Sequence, residues 1–293
     1  MGGHAVSAYV ELVRAPAALT VVGDTVAGGA AAGTPLRGRR LLLPTASAAF
    51  YWAGMALNDW ADRDLDAVER PERPIPSGRV SAGAALATGS ALTAAGLVLA
   101  RLGGGARAWR TAVPLAACVW AYDTVLKGTA FGPVGMAACR ALDVLLGAGG
   151  GERTALPAAA ALGVHTLGVT ALSAGEVHGT SPGTAGGALT TTAAATTLAT
   201  RGTGGARRSG GRLRRAFTAV LAGTYATSVG RAQYAALREP SARHARQATK
   251  AGIHGMVPLQ ATVAARHGAV RSAAFLATAL PLARRLARKV SPT

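Results

Sequence analysis

The sequence predicts an all-α fold, a polytopic membrane bundle of about nine transmembrane helices, and three observations carry that prediction. Half of the residues are apolar and only 15% are charged, with a mean hydropathy of +0.28. That balance is uncommon in a soluble chain of 293 residues. Uncharged or nearly uncharged runs recur, several of them at the roughly 20 residues a helix needs to cross the hydrocarbon core. Segments rich in proline, glycine and arginine separate them.

In chain order the runs are 15–36 (with Asp24 inside), 41–57, 80–100, 111–122, 128–139, 154–175, 184–200, 216–230, 251–265 and 272–283. Their shorter members gain length by snorkelling arginine at their ends. The segment 241–266 begins SARHARQATK, which is too polar for lipid. It is expected to be a loop leading to a short or re-entrant helix, which holds the count of spans at nine. The connections read PERPIPSG at 71–78, RLGGGAR at 101–107, GAGGGER at 147–153, TSPGTAGG at 180–187 and RGTGGARRSGG at 201–211. No fixed-period repeat divides the chain, so residues 1–293 are read as one domain.

Composition also excludes other classes. A net charge of +18 would suit nucleic acid if the arginines formed one face. They fall instead into short clusters (Arg37, Arg39, Arg40; Arg207, Arg208, Arg212, Arg214, Arg215; Arg284, Arg285, Arg288), as loops of a membrane protein do. No nucleic-acid partner is expected. Cys118 and Cys139 lie in apolar stretches and read as small buried hydrophobes. No basic segment followed by an apolar core marks a cleavable signal, so the first apolar segment is expected to stay as an anchor. Zinc chemistry has no support, because neither H-E-x-x-H nor C-x-x-C spacing occurs.

The chemistry is concentrated in residues 58–79, NDWADRDLDAVERPERPIPSGR. Six of the chain's 13 acids, Asp59, Asp62, Asp64, Asp66, Glu69 and Glu72, fall there, directly after an uncharged run. At spacings i, i+3 and i+7, Asp59, Asp62 and Asp66 share a helix face. Three carboxylates at a membrane boundary repel one another unless a cation neutralises them. Hard oxygen donors select Mg²⁺ or Ca²⁺, and Mg²⁺ completes its shell with water and substrate phosphates. Arg70, Arg73 and Arg79 follow on a proline-stiffened loop, and guanidinium suits phosphate oxygens. An EF-hand reading of this run fails, with Ala67 where the turn needs glycine and Arg73 where the bidentate glutamate belongs.

Asn58, Asp59, Asp62 and Asp66 resemble the N-D-x-x-D-x-x-x-D motif of the UbiA superfamily of intramembrane prenyltransferases, and RPERPIPSGR looks like its continuation. Arg14-Ala15-Pro16 is similar to the opening of that family's first span. Tyr122 to Lys127 with Thr129 resembles its Y-x-x-x-K-x-T stretch. The resemblance implies a bundle of nine transmembrane helices, multi-pass in the cell membrane, that binds a prenyl diphosphate through Mg²⁺ and transfers the prenyl group to an aromatic or other lipophilic acceptor. It implies Asp59, Asp62, Asp66 and Glu176 as metal ligands, acting in catalysis with Lys127, and Asn58, Arg70, Arg73, Tyr122 and Arg14 as substrate contacts. The partners implied are prenyl diphosphate, the acceptor and membrane lipid.

The family's second motif, D-x-x-x-D, is replaced here by LSAGEVHG at 172–179, where Glu176 is the sole acid. That depletion keeps open a non-catalytic alternative, a protein of the same fold that binds a polyprenyl lipid or serves as an assembly partner. A soluble prenyl-diphosphate synthase would also use aspartate-rich helices, but the succession of uncharged spans argues against it. Asp24 and Asp143, carboxylates inside apolar runs, are candidates for acceptor contacts or helix pairing.

Overall fold

The computed structural model describes residues 2–201 and 211–278. The arginines at 207, 208, 284, 285 and 288, and the end of the run at 272–283, lie outside the described residues. Among the described residues every regular element is helical: α1 (Gly2–Leu12), a 3₁₀ turn (Ala15–Thr20), α2 (Val22–Ala31), α3 (Leu42–Ala61), α4 (Arg63–Glu69), α5 (Ala82–Ala121), α6 (Gly132–Ala148), α7 (Glu152–Ser173), α8 (Pro182–Thr200), α9 (Arg212–Arg238) and α10 (Ala242–Arg266). A last helix starts at residue 270.

Element α5 is a helical hairpin. Gly105 turns the chain with φ 68° and ψ −155°, a conformation essentially reserved for glycine. Past that turn, Trp120 Nε1 donates to Thr93 Oγ1 at 3.1 Å. On one unbroken helix these residues would stand about 40 Å apart, so the two limbs run back to back.

Two stretches among the described residues are long and apolar enough to cross a membrane, Ala82–Leu126 and Glu152–Ser173, not the nine expected. Of the other helices, α1, α2, α4 and α6 are too short, α9 and α10 carry several basic residues, and α8, PGTAGGALTTTAAATTLAT, is diluted by glycine and threonine. The segment 241–266 also differs from expectation. It is one regular helix, capped by the Ser241 hydroxyl accepting from the His244 N–H. Arg243, Arg246 and Lys250 lie on its exposed side, while Ala245, Ala248, Gly252 and Gly255 turn inward. Polar residues in a linear run thus conceal a helix with one buried face.

The bundle is assembled by pairs, α3 on α5, α6 on α7, α7 on α8, α8 on α9 and α9 on α10, with α2 wedged between α6, α7 and α10. Small residues bring these axes together. A Cβ at Gly28 would stand 1.8 Å from the Val144 carbonyl oxygen, and one at Gly147 would stand 2.2 Å from that of Thr25. The α2–α6 crossing is therefore backbone against backbone. Gly147→Val is expected to force the helices apart and destabilise the fold by about 1–3 kcal/mol or more. Gly83→Ala, where a Cβ meets nothing within 4 Å, should leave stability unchanged or slightly raised. Melting of the two purified variants checks this contrast, and equal midpoints would refute the tight crossing.

Candidate functional site

Asp62 is a hinge between two helices. Its φ and ψ of −89° and 5° break α3 from α4, so the three motif aspartates do not share one helix face as their spacing predicts. Asp59 closes α3 and Asp66 lies on α4. They meet through Arg73, whose Nη1 donates to Asp59 Oδ1 at 3.3 Å and to Asp66 Oδ2 at 2.5 Å. Arg70 stands 3.6 Å from the other Asp66 oxygen. Arg14 Nη2 donates to Asp59 Oδ1 at 3.0 Å, and Lys127 Nζ lies 2.6 Å from Asp62 Oδ1. Each motif aspartate is thus paired with a cationic side chain. Asp59 lies just past the uncharged run 41–57.

Two backbone features aim these cations. Arg14 adopts the left-handed conformation, φ 47° and ψ 50°, at a cost of about 1–2 kcal/mol for a residue with a side chain. Strain of this kind persists where surrounding contacts fix it, and Arg14 is held by Asp59 and by Met55 Sδ at 3.3 Å. Residues Tyr122–Leu126 form a π turn, with the Lys127 N–H bonded to the Tyr122 carbonyl at 2.9 Å. Four residues separate Tyr122 from Lys127, one more than the Y-x-x-x-K pattern has, and the wider turn takes up the extra one. Lys127 Nζ also donates to the Asn58 carbonyl at 3.4 Å.

Behind this cluster lies a cavity of about 530 Å³, walled by α3, the return limb of α5, α6, α7 and α10. Arg14, Asn58, Tyr122 and Asp123 line its outer end; Phe50, Gly54, Leu115, Val119 and Met136 line its middle. Asp123 is a residue the sequence reading missed. It is buried, accepts from Asn58 Nδ2 at 3.4 Å and makes no ion pair among the described residues. The available signal was an acid set between an apolar run and Lys127. Tyr51 also lines the cavity, whereas Trp52 packs with Ala18, Val21 and Ala48.

Glu176 lies in the turn after α7. Gly163 faces Ala137 and Ala141 across the α6–α7 hairpin, so Ser173, which lines the cavity, comes level with the start of α6 and with Lys127. Arg246 donates to the Glu176 backbone carbonyl. The Glu176 carboxylate makes no ion pair among the described residues.

Among the described residues no group of three or more His, Cys, Asp or Glu side chains is placed to hold a metal. The expected ligands are spread over α3, the hinge, α4 and the turn after α7, and guanidinium or ammonium groups are seated on three of them. Their chemistry, hard carboxylate oxygens beside phosphate-binding arginines, still fits a hard divalent cation carried in with a diphosphate.

His165 is fully engaged. Its Nε2 lies 3.1 Å from the Gly252 carbonyl, which requires the proton on that nitrogen. Its Nδ1 accepts from the Tyr225 hydroxyl at 2.8 Å. Although it lines the cavity, it has no nitrogen left for a ligand.

A model of the UbiA prenyltransferase family matches residues 19–178. The chain is similar to proteins named digeranylgeranylglyceryl phosphate synthase. It is 42% identical over 92 residues to that of Ignicoccus hospitalis, covering 31% of this chain and 30% of the relative. With that of Natronomonas pharaonis the identity is 38% over 128 residues, covering 42% and 44%. The chain thus matches less than half the length of these relatives. In fold it resembles a solved structure described as giving structural and mechanistic insights into digeranylgeranylglyceryl phosphate synthase in membranes, with a TM-score of 0.66 at 19% identity over 91% of this chain and 99% of that one. It also resembles the apo structure of a UbiA homolog from Aeropyrum pernix, with a TM-score of 0.64 at 16% identity over 84% and 96%.

Proposed function

Because the chain belongs to the UbiA prenyltransferase family, we propose that it is a multi-pass integral-membrane prenyltransferase that joins the prenyl group of an allylic prenyl diphosphate to a lipophilic acceptor. The carrying observation is a juxtaposition: the cluster of aspartates, arginines and a lysine stands beside an apolar cavity wide enough for a small molecule, and Arg14, which pairs with Asp59, also lines that cavity with Asn58, Tyr122 and Asp123. An anionic head belongs at the cluster and a lipid-like body in the cavity.

In this reading Arg70, Arg73 and Lys127 leave their carboxylate partners to hold diphosphate oxygens. Asp59, Asp62, Asp66 and Glu176 would hold Mg²⁺, which neutralises charge on the departing diphosphate. The bond between prenyl C1 and the diphosphate oxygen breaks, and C1 bonds to a nucleophilic atom of the acceptor. The proton released from that atom passes to Asp123, the buried carboxylate at the outer end that makes no ion pair among the described residues. The apolar walls exclude water, which would otherwise capture the allylic cation. Membrane residence is supported by the two long apolar stretches, and in this reading the longer of the remaining helices are the other spans of the bundle.

The test is diphosphate release and prenylated product from purified protein given Mg²⁺, a panel of candidate lipophilic acceptors and geranyl, farnesyl or geranylgeranyl diphosphate. The relatives' names make the last the first choice. The protein should stay in the membrane through a carbonate wash. Glu176→Gln should raise the Mg²⁺ concentration needed for half-maximal diphosphate binding. No turnover and no binding with every donor would overturn the assignment.

A further inference from the structure

The chain has two cysteines, and the fold brings them into contact. Cys118 stands on the return limb of α5 and Cys139, 21 positions later, on α6, with the Cys139 thiol donating to Cys118 Sγ at 3.3 Å. Both are free and half-buried. In the sequence each passes for a small packed hydrophobe; only the fold makes them a pair.

The backbone around them sets the approach. The Cys118 thiol donates to the Gly135 carbonyl at 3.5 Å, one turn before Cys139. A Cβ at Gly135 would stand 3.0 Å from Leu126 Cδ1 and 3.3 Å from the Tyr122 ring, so the start of α6 lies close against the end of the limb. A disulfide holds its sulfurs at about 2.05 Å, so each sulfur has to move by roughly 0.6 Å, a modest turn about its Cα–Cβ bond. Access is from the cavity: Cys139 lines it, as do Leu115 and Val119 on the limb and Met136 on α6. A space of about 530 Å³ admits a small oxidant.

We propose that Cys118 and Cys139 form a reversible dithiol–disulfide site, closed by a peroxide and reopened by a thiol reductant. One sulfur, as its thiolate, attacks a peroxide oxygen. The O–O bond breaks and the departing hydroxide takes up the thiol proton, leaving a sulfenic acid and one water. The second thiol attacks the sulfenic sulfur, and the S–O bond breaks as that oxygen leaves in a second water. Two thiols are thereby oxidised to a disulfide while hydrogen peroxide is reduced to water. The bond ties the return limb of α5 to α6 and fixes the spacing of the walls that carry Leu115, Val119 and Met136. The site is independent of the prenyl-transfer reading.

The test uses the purified full chain in lipid nanodiscs whose scaffold lacks cysteine. The protein is reduced, freed of reductant, treated with hydrogen peroxide and quenched with catalase. Intact mass after maleimide labelling of the denatured chain counts the thiols, and melting is followed on the same preparations. Peroxide should abolish labelling at both cysteines together, with no oxygen added and no dimer formed, and dithiothreitol should restore it. The oxidised chain should melt higher than the reduced one, because the bond closes a loop in the unfolded chain. In Cys118→Ser the same treatment should leave the Cys139 thiol labelled. Thiols that persist in the wild-type chain, a mass raised by oxygen, or a disulfide formed only between two chains overturns the site whether or not Cys118→Ser folds. An unchanged or lower melting temperature on oxidation overturns the tie between the helices. Loss of the remaining thiol in Cys118→Ser as fast as in wild type shows that the cysteines react separately and overturns the pairing.

Discussion

Asp62→Asn is expected to lower affinity for prenyl diphosphate in the presence of Mg²⁺ by about 100-fold or more, the scale of removing one preorganised electrostatic group, while the melting temperature stays near that of wild type. Asp62 suits this test because its side chain is 27% exposed and, among the described residues, forms its one ion pair with Lys127 at 2.6 Å. An amide there removes a hard anionic oxygen and leaves a partly solvated ammonium, which is cheap for the fold. Asp66→Asn is the instructive contrast. Its side chain is 2% exposed and touches both Arg73 and Arg70, so the amide leaves the Arg73 guanidinium with only its longer 3.3 Å contact to Asp59, and binding and stability should fall together. Calorimetric titration of geranylgeranyl diphosphate, with melting measured on the same preparations, separates the two. Wild-type affinity in Asp62→Asn would place the diphosphate elsewhere.

The aspartates and arginines of the site were legible because their residue types and spacing already name the chemistry. Their arrangement was not. Helical spacing alone puts Asp59, Asp62 and Asp66 on one face, but the hinge at Asp62 moves Asp66 onto a second helix, and only the folded loop returns Arg73 between them. Asp123 escaped because a single acid carries no pattern; its meaning comes from Asn58, 65 positions away. The helix at 242–266 was misread because polarity was weighed along the line of the sequence. Read at steps of three and four, its alanines and glycines already marked a buried face.

The second large effect concerns the ion pair deep in the bundle. Arg140→Met is expected to cost about 3–5 kcal/mol of stability, because breaking a buried pair leaves the other charge unanswered. Asp24 is fully buried and paired with Arg140; with Arg140 removed it keeps Gln260 as a donor, at 2.8 Å, and its hydrogen-bonded neighbour Asp143, but no cation among the described residues. Asp24→Leu should be comparably costly, since it strands the guanidinium. The double variant Asp24→Leu, Arg140→Met replaces the pair with apolar side chains, and buried pairs exchanged in this way commonly end near neutrality. It should therefore melt above either single variant, a non-additivity that only a direct interaction produces. Gln260 keeps a partner in the double variant, because its Nε2 also donates to the Thr20 carbonyl at 2.9 Å. Melting of the four proteins in one detergent measures the cycle. Additive losses would show that Arg140 and Asp24 stabilise the bundle separately, and a wild-type midpoint in Arg140→Met would show that the pair is not closed in the folded protein.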